Sequence, residues 1–180
     1  MRLFTAIDIG ALDGLVAAEG ELEQTGARLK MVEPEIIHCT LKFLGEVEEH
    51  LIPAITEAMQ RAVANVGPFT TTVRGMGVFP SPDYIKVIWV GLEGGPVSVI
   101  AQNLEEDLQG CGFTKEKRPF TPHATLARVK GAQGKDRLRE VVQRHRDTVF
   151  GEVSVDSICL KKSELRPQGP VYTTLHTIPL

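Results

Sequence analysis

Two spacings of apolar residues alternate along this chain. The run Leu3-Phe4-Thr5-Ala6-Ile7-Asp8-Ile9 is short, apolar and β-favouring, which predicts a strand. From about Leu12 to Arg28 the apolar positions Leu12, Leu15, Val16, Leu22 and Leu29 keep a helical interval, and Pro34 then breaks the chain. A second strand is expected over His38-Cys39-Thr40-Leu41-Lys42-Phe43-Leu44-Gly45, followed by a helix opened by Glu46, Glu48 and Glu49 and running to about Val66. Leu51, Ile55, Ala58, Met59, Ala62 and Val63 form its buried stripe; Pro53 is tolerated near its start and Gly67-Pro68 ends it. Phe69 to Phe79 predicts a strand, Pro80 to Asp83 a turn, and Tyr84 to Leu92 a strand apolar enough to be central in a sheet. A helix is expected over about 97–109, a basic loop over 113–122, a strand from Thr121-Pro122-His123 onward, and a charged helix from Gly134 to about Phe150. Val153 to Glu164 and Val171 to Ile178 read as the last two strands.

One feature recurs in this pattern. His38-Cys39-Thr40-Leu41 and His123-Ala124-Thr125-Leu126 are both His-x-Thr-Leu on β-favouring runs, 123 − 38 = 85 residues apart. The same offset lays Leu3–Ile9 near Tyr84–Val90 and Phe69–Arg74 on Ser154–Cys159. Each half, about 1–83 and 84–180, reads strand, helix, His-x-Thr strand, helix, strand. Similarity at a fixed offset speaks to the whole architecture. It predicts one α+β domain over 1–180: a bilobal, pseudo-two-fold duplicated fold, each lobe a mostly antiparallel sheet backed by helices, with the motif strands facing across a cleft.

Composition narrows the class without deciding it. Hydrophobic residues at 42% and charged residues at 24% are ordinary for a globular protein of 180 residues. No stretch approaches the roughly 18 apolar residues of a membrane span, and Asp8 comes too early for a signal peptide. The odd cysteines Cys39, Cys111 and Cys159 have no metal-type spacing, which fits a reducing interior; a soluble, cytoplasmic monomer is expected. The net charge of −3 hides an asymmetry. Residues 1–85 hold 6 Lys/Arg and 12 Asp/Glu, whereas residues 86–180 hold 14 and 11. The basic residues near the second motif, Lys115, Lys117, Arg118, Arg128 and Lys130, are placed to meet a phosphate backbone.

Alternation along a strand puts His38, Thr40 and Lys42 on one face and Cys39, Leu41 and Phe43 on the other. Two opposed imidazoles suit concerted acid–base catalysis, one neutral ring taking a proton while a charged ring gives one. Displacement at phosphorus needs both at once, and the threonines can donate to non-bridging phosphate oxygens. No carboxylate cluster accompanies the histidines, so neither a metal nor another cofactor is expected.

The paired motifs with their flanking Phe43-Leu44-Gly45 and Ala127-Arg128 resemble the signature of the two-histidine (2H) phosphoesterases, and within them the RNA 2′,3′-cyclic phosphodiesterase or 2′–5′ RNA ligase group. Leu3–Ile7, Gly75–Pro80 and Val87–Gly91 carry the likeness over most of the chain. It implies hydrolysis of an RNA-terminal 2′,3′-cyclic phosphate to a 2′-phosphate without metal, on RNA ends or nucleotides carrying that group. By position, His123 is then the base that activates water and His38 the acid, Thr40 and Thr125 hold the phosphate, and Arg128 is a further contact. Strict alternation from His123 turns Arg128 away, so it reaches the site only where its strand twists, bulges or ends. Lys42 has the right parity to join it.

Other readings stay open at this point: the same chemistry on small cyclic nucleotides or 2′–5′ linkages, including ligation, or a nucleotide-binding module without turnover. Phe79 and Phe120 are candidate nucleobase contacts, Trp89 is expected to pack in the core, and His50, His145 and His176 are given surface or structural roles.

Overall fold

The computed structural model describes all residues, Met1 to Leu180. Nine strands and four longer helices follow in the order β1 (Arg2–Asp8), α1 (Asp13–Glu23), β2 (Leu29–Met31), β3 (His38–Glu46), α2 (Ile52–Ala62), β4 (Phe69–Ser81), β5 (Tyr84–Glu93), α3 (Val97–Asp107), β6 (His123–Val129), α4 (Lys135–Arg144), β7 (Val149–Val155), β8 (Ser157–Arg166) and β9 (Gly169–Pro179). They form two antiparallel sheets, β3-β1-β8-β9 and β2-β6-β5-β4-β7. The expected α+β architecture is present. No helix is long and apolar enough to cross a membrane.

The two sheets do not coincide with the two halves of the sequence. β4, which closes the first half, pairs with β5 in the second sheet, while β8 crosses back to pair with β1 in the first. The helices follow the same exchange: α1 packs on β7 and α4, whereas α2 and α3 pack together against β9 and β3. Each sheet is thus built and backed by segments of both halves. One apolar core runs through both, from Leu3, Ile7 and Leu41 to Ile88, Leu126 and Ile158.

Several element boundaries differ from the sequence expectation; the helix expected from Glu46 to about Val66, for one, spans Ile52–Ala62, with β3 running on to Glu46. α1 stops at Glu23 rather than near Arg28, because Thr25 Oγ1 donates to Leu22 O at 2.6 Å and Gly26 turns the chain with φ of 74°. Leu29, counted as the end of the helical stripe, instead begins β2, which joins the edge of the second sheet beside β6. α4 ends at Arg144, and the run expected as one strand from Val153 divides at Asp156 into β7 and β8, which belong to different sheets.

Candidate active site

His38 opens β3 and His123 opens β6, each just after a segment containing proline, Pro34 to Ile36 and Pro122. Their surroundings repeat. His38 Nδ1 lies 2.9 Å from Ile36 O and His123 Nδ1 2.7 Å from Thr121 O, in both cases the carbonyl two residues earlier. A carbonyl only accepts, so Nδ1 carries the hydrogen and donates in both rings. Proton exchange is therefore confined to Nε2 of each imidazole.

Aromatic rings fix the other sides. His38 packs against Phe4 (5.1 Å between centroids) and edge-on to Tyr172 (5.1 Å); His123 packs edge-on to Phe79 (5.3 Å) and against Trp89 (6.1 Å). Phe4 and Trp89 stand on β1 and β5 at the 85-residue offset, 89 − 4 = 85. Trp89 is thus a wall of the cleft and not the core residue expected. Its ring lies over Gly77, where any side chain would collide with the indole. Phe79 is 38% exposed and flanks His123, whereas Phe120 is partly buried against the core.

Thr40 and Thr125 follow on the histidine faces, paired with Ala6 and Trp89. Beyond them both strands bulge. In β3, Ala6 pairs with Thr40 but Thr5 with Lys42, so Leu41 is inserted and the alternation reverses. Lys42 therefore faces away from the cleft. It is almost fully buried, with Nζ donating to Glu105 Oε2 at 2.7 Å and to Thr114 O at 3.0 Å. The reading of Lys42 as a phosphate contact is corrected on this ground: its ammonium holds α3 to the back of β3.

The same shift in β6, where Trp89 pairs with Thr125 but Ile88 with Ala127, returns Arg128 to the face of His123 and Thr125. The bulge required to bring Arg128 round is present. Arg128 is exposed and close enough to Tyr172, on the opposite sheet, for its charge to act on that hydroxyl. At the matching place in β3, 43 + 85 = 128, stands Phe43. It is 74% exposed and packs against Phe4. Strict alternation turns it inward, although the repeat offset aligns it with Arg128. Tyr172, also absent from the sequence reading, carries no motif signal.

The fold acts on the charge state of His38. Burial lowers the His38 pKa below its ordinary 6.5; the Ile36 carbonyl opposes this, Lys161 adds to it, and Asp8 opposes it. Lys161 and Asp8 form an ion pair of 2.9 Å on the same face, with Lys161 also donating to Thr174 Oγ1 at 3.0 Å. Burial likewise raises the Tyr172 phenol, against Arg128 and Arg2. Cys39 faces the core as expected, its thiol pushed up to about 12 by burial. No group of three or more His, Cys, Asp or Glu side chains converges as a metal-ligand set would. A surface depression among Val78, Pro82, Ile85, Arg139, Val142 and Arg144 lies elsewhere and contains neither histidine.

A family model described as the 2′-5′ RNA ligase superfamily matches residues 19–166. The chain belongs to this superfamily. That is the group its paired motifs resembled. Among curated relatives of this superfamily member, the RNA 2′,3′-cyclic phosphodiesterase of Methanothermobacter thermautotrophicus is 36% identical over 100% of this chain and 99% of its own. That of Aeropyrum pernix is 40% identical over 91% and 93%. Among solved structures, TT0787 of Thermus thermophilus superposes with a TM-score of 0.82, at 31% identity, over 100% of this chain and 98% of its own. E. coli LigT, solved in complex with 3′-AMP, shares the fold with a TM-score of 0.73 at 23% identity, over 99% and 97%.

Proposed function

We propose that this protein hydrolyses the 2′,3′-cyclic phosphate at an RNA end to a 2′-phosphomonoester, using His123 as base and His38 as acid. The observation that carries the reading is the matched pair of imidazoles, each with Nδ1 tied to a backbone carbonyl and Nε2 left for proton exchange. In the proposed step, water gives a proton to His123 Nε2 as its oxygen forms the new bond to phosphorus. The bond from phosphorus to the 3′ oxygen breaks, and His38 Nε2–H supplies that oxygen with its proton. Thr40, Thr125 and Arg128 donate to the non-bridging oxygens, where negative charge grows. A depressed pKa makes the His38 imidazolium a stronger acid, and the anionic substrate beside it favours the protonated form in the complex. The exposed rings of Phe43 and Phe79 offer stacking surfaces for the terminal base. Full-length likeness to proteins named RNA 2′,3′-cyclic phosphodiesterase supports the choice of substrate.

The test is to incubate the purified protein with an oligoribonucleotide ending in 2′,3′-cyclic phosphate, in excess EDTA, and to identify the product end. Release of a 2′-phosphate end at an undiminished rate is expected. Loss of activity in EDTA with recovery on adding a divalent metal, or exclusive formation of a 3′-phosphate, would contradict the scheme.

A further inference from the structure

The second sheet has one strand more than the first. Its β6, β5, β4 and β7 correspond to β3, β1, β8 and β9, and β2 is added outside β6. What β2 brings to the cleft is charge. Lys30 pairs with Arg128, and the pairing continues outward through Lys130 N to Arg28 O at 2.8 Å. The flanking Leu29, Met31 and Val129 pack against the core, so alternation turns Arg28, Lys30, Arg128 and Lys130 to the face of His123 and Thr125. None of the four forms an ion pair, whereas Lys42, Arg74, Arg139, Arg144, Lys161 and Lys162 all do. Lys30 Nζ meets only a neutral partner, Gln168 O at 2.8 Å, at the tip of the β8–β9 hairpin of the other sheet.

We infer that Arg28, Lys30 and Lys130 form a track for the phosphates of the RNA chain upstream of the reacting nucleotide, entering the cleft at Arg128. The inference rests on the proposed activity for its starting point. Its own content is that the protein acts on polynucleotide ends in preference to free cyclic nucleotides. Residues two apart on a strand are about 6.6 Å apart, a step that suits successive phosphates of an extended single strand. Four unpaired cations in two adjacent rows favour a flexible polyanion over a compact ligand. Because the row ends on Arg128, beside the phosphate-binding threonine, the polyanion is one whose terminus reaches that site.

Arg28→Ala/Lys30→Ala/Lys130→Ala, and Arg28→Ala/Lys130→Ala, which leaves the Lys30–Gln168 bond intact, should be compared with the parent in two ways. The first is kcat/KM on a cyclic-phosphate dodecamer and on a 2′,3′-cyclic mononucleotide. The second is anisotropy binding of a 5′-labelled dodecamer bearing a 2′-phosphate end, across a salt series. Counterion release contributes about 0.7 to the log–log salt slope per phosphate contact on a single strand. The triple variant should therefore show a slope shallower by about 2 and dodecamer binding and turnover lower by about tenfold or more. The double variant should fall between, and mononucleotide turnover should stay within about twofold, which also certifies the fold. An unchanged slope and dodecamer affinity, an equal loss on both substrates, or equally tight binding of a polyglutamate of matching charge would overturn the track. If the parent turns over neither substrate, the proposed activity fails, and the binding series still decides whether the track exists.

Discussion

At the scale of single residues, the two histidines share one pattern of hydrogen bonding, and burial acts on the charge of His38. Desolvation disfavours the imidazolium of His38, so its Cε1–H resonance should titrate with a midpoint below 6.5 in the free protein. The midpoint should move upward when a nucleoside 2′-phosphate is added, because the anion favours the charged ring. A free-state midpoint at or above 6.5 would contradict the desolvation of His38. For catalysis the pH profile of kcat/KM should be bell-shaped, with macroscopic limits that belong to the pair. Since His38 is one of them, the acid limb should lie below the ordinary histidine value.

Lys42 gives a contrasting prediction at the same scale. Glu105→Ala strands a buried ammonium and should cost about 3–5 kcal/mol of stability, measured by urea unfolding. Lys42→Met keeps the buried stem without the charge. It should hold kcat/KM on a cyclic phosphate within a few-fold of the parent once folded, because the side chain lies behind the motif strand. A hundredfold fall in the folded Lys42→Met protein would return Lys42 to the phosphate site.

At the scale of elements, the period of the apolar residues locates β1, β3, β4, β5 and the helices, because each buries one face against a single core. Where the structure departs from that period, pairing between strands decides. The inserted Leu41 reverses the alternation of β3, which is a property of its pairing with β1 and invisible along one strand. β2 is three residues long and gains its identity from the edge of β6. β7 and β8 are contiguous apolar runs that divide only because they serve different sheets. The histidines and threonines are legible because the motif occurs twice. Tyr172 and Phe43 enter the cleft through tertiary placement and the bulge.

Helix α1 carries a separate consequence. Glu19 is buried with Oε1 unpartnered, and burial together with Glu23 and Glu35 raises its pKa from 4.5 to about 7. Between those values the folded form holds a proton that the unfolded chain has lost, so stability falls as pH rises from about 4.5 to 7 and levels off above. Glu19→Gln removes that loss. The variant should match the parent near pH 4.5 and exceed it by about 1–3 kcal/mol at pH 8, measured by urea unfolding. Equal stability of the two proteins at pH 8 would show that Glu19 is not held neutral by the fold.

At the scale of the whole molecule, the exchange of β4 and β8 between the halves makes the two lobes interdependent. A fragment of residues 1–83 has β1 and β3 without the β8–β9 hairpin, and β4 without β5, so it exposes the faces that those strands cover. It should show no cooperative unfolding, whereas the full chain should unfold in a single transition. Two transitions in the full chain, or a cooperative transition in the fragment, would contradict this interdependence. The exchange also explains how one pseudo-two-fold arrangement yields an asymmetric cleft. The scaffold repeats, while the positions beyond the bulges carry Phe43 on one side and Arg128 on the other.

The central claim, that His123 takes the proton of the attacking water and His38 supplies that of the departing 3′ oxygen, is tested most directly by leaving-group dependence. His38→Ala and His123→Ala should each lose about 10²–10⁴-fold in kcat/KM on a cyclic-phosphate RNA end. On a p-nitrophenyl phosphodiester, whose leaving group needs no proton, His38→Ala should recover most of its loss while His123→Ala remains impaired. Equal losses for both variants on both substrates would contradict the division of labour, and near-full activity of either variant on the cyclic phosphate would contradict the two-histidine mechanism itself.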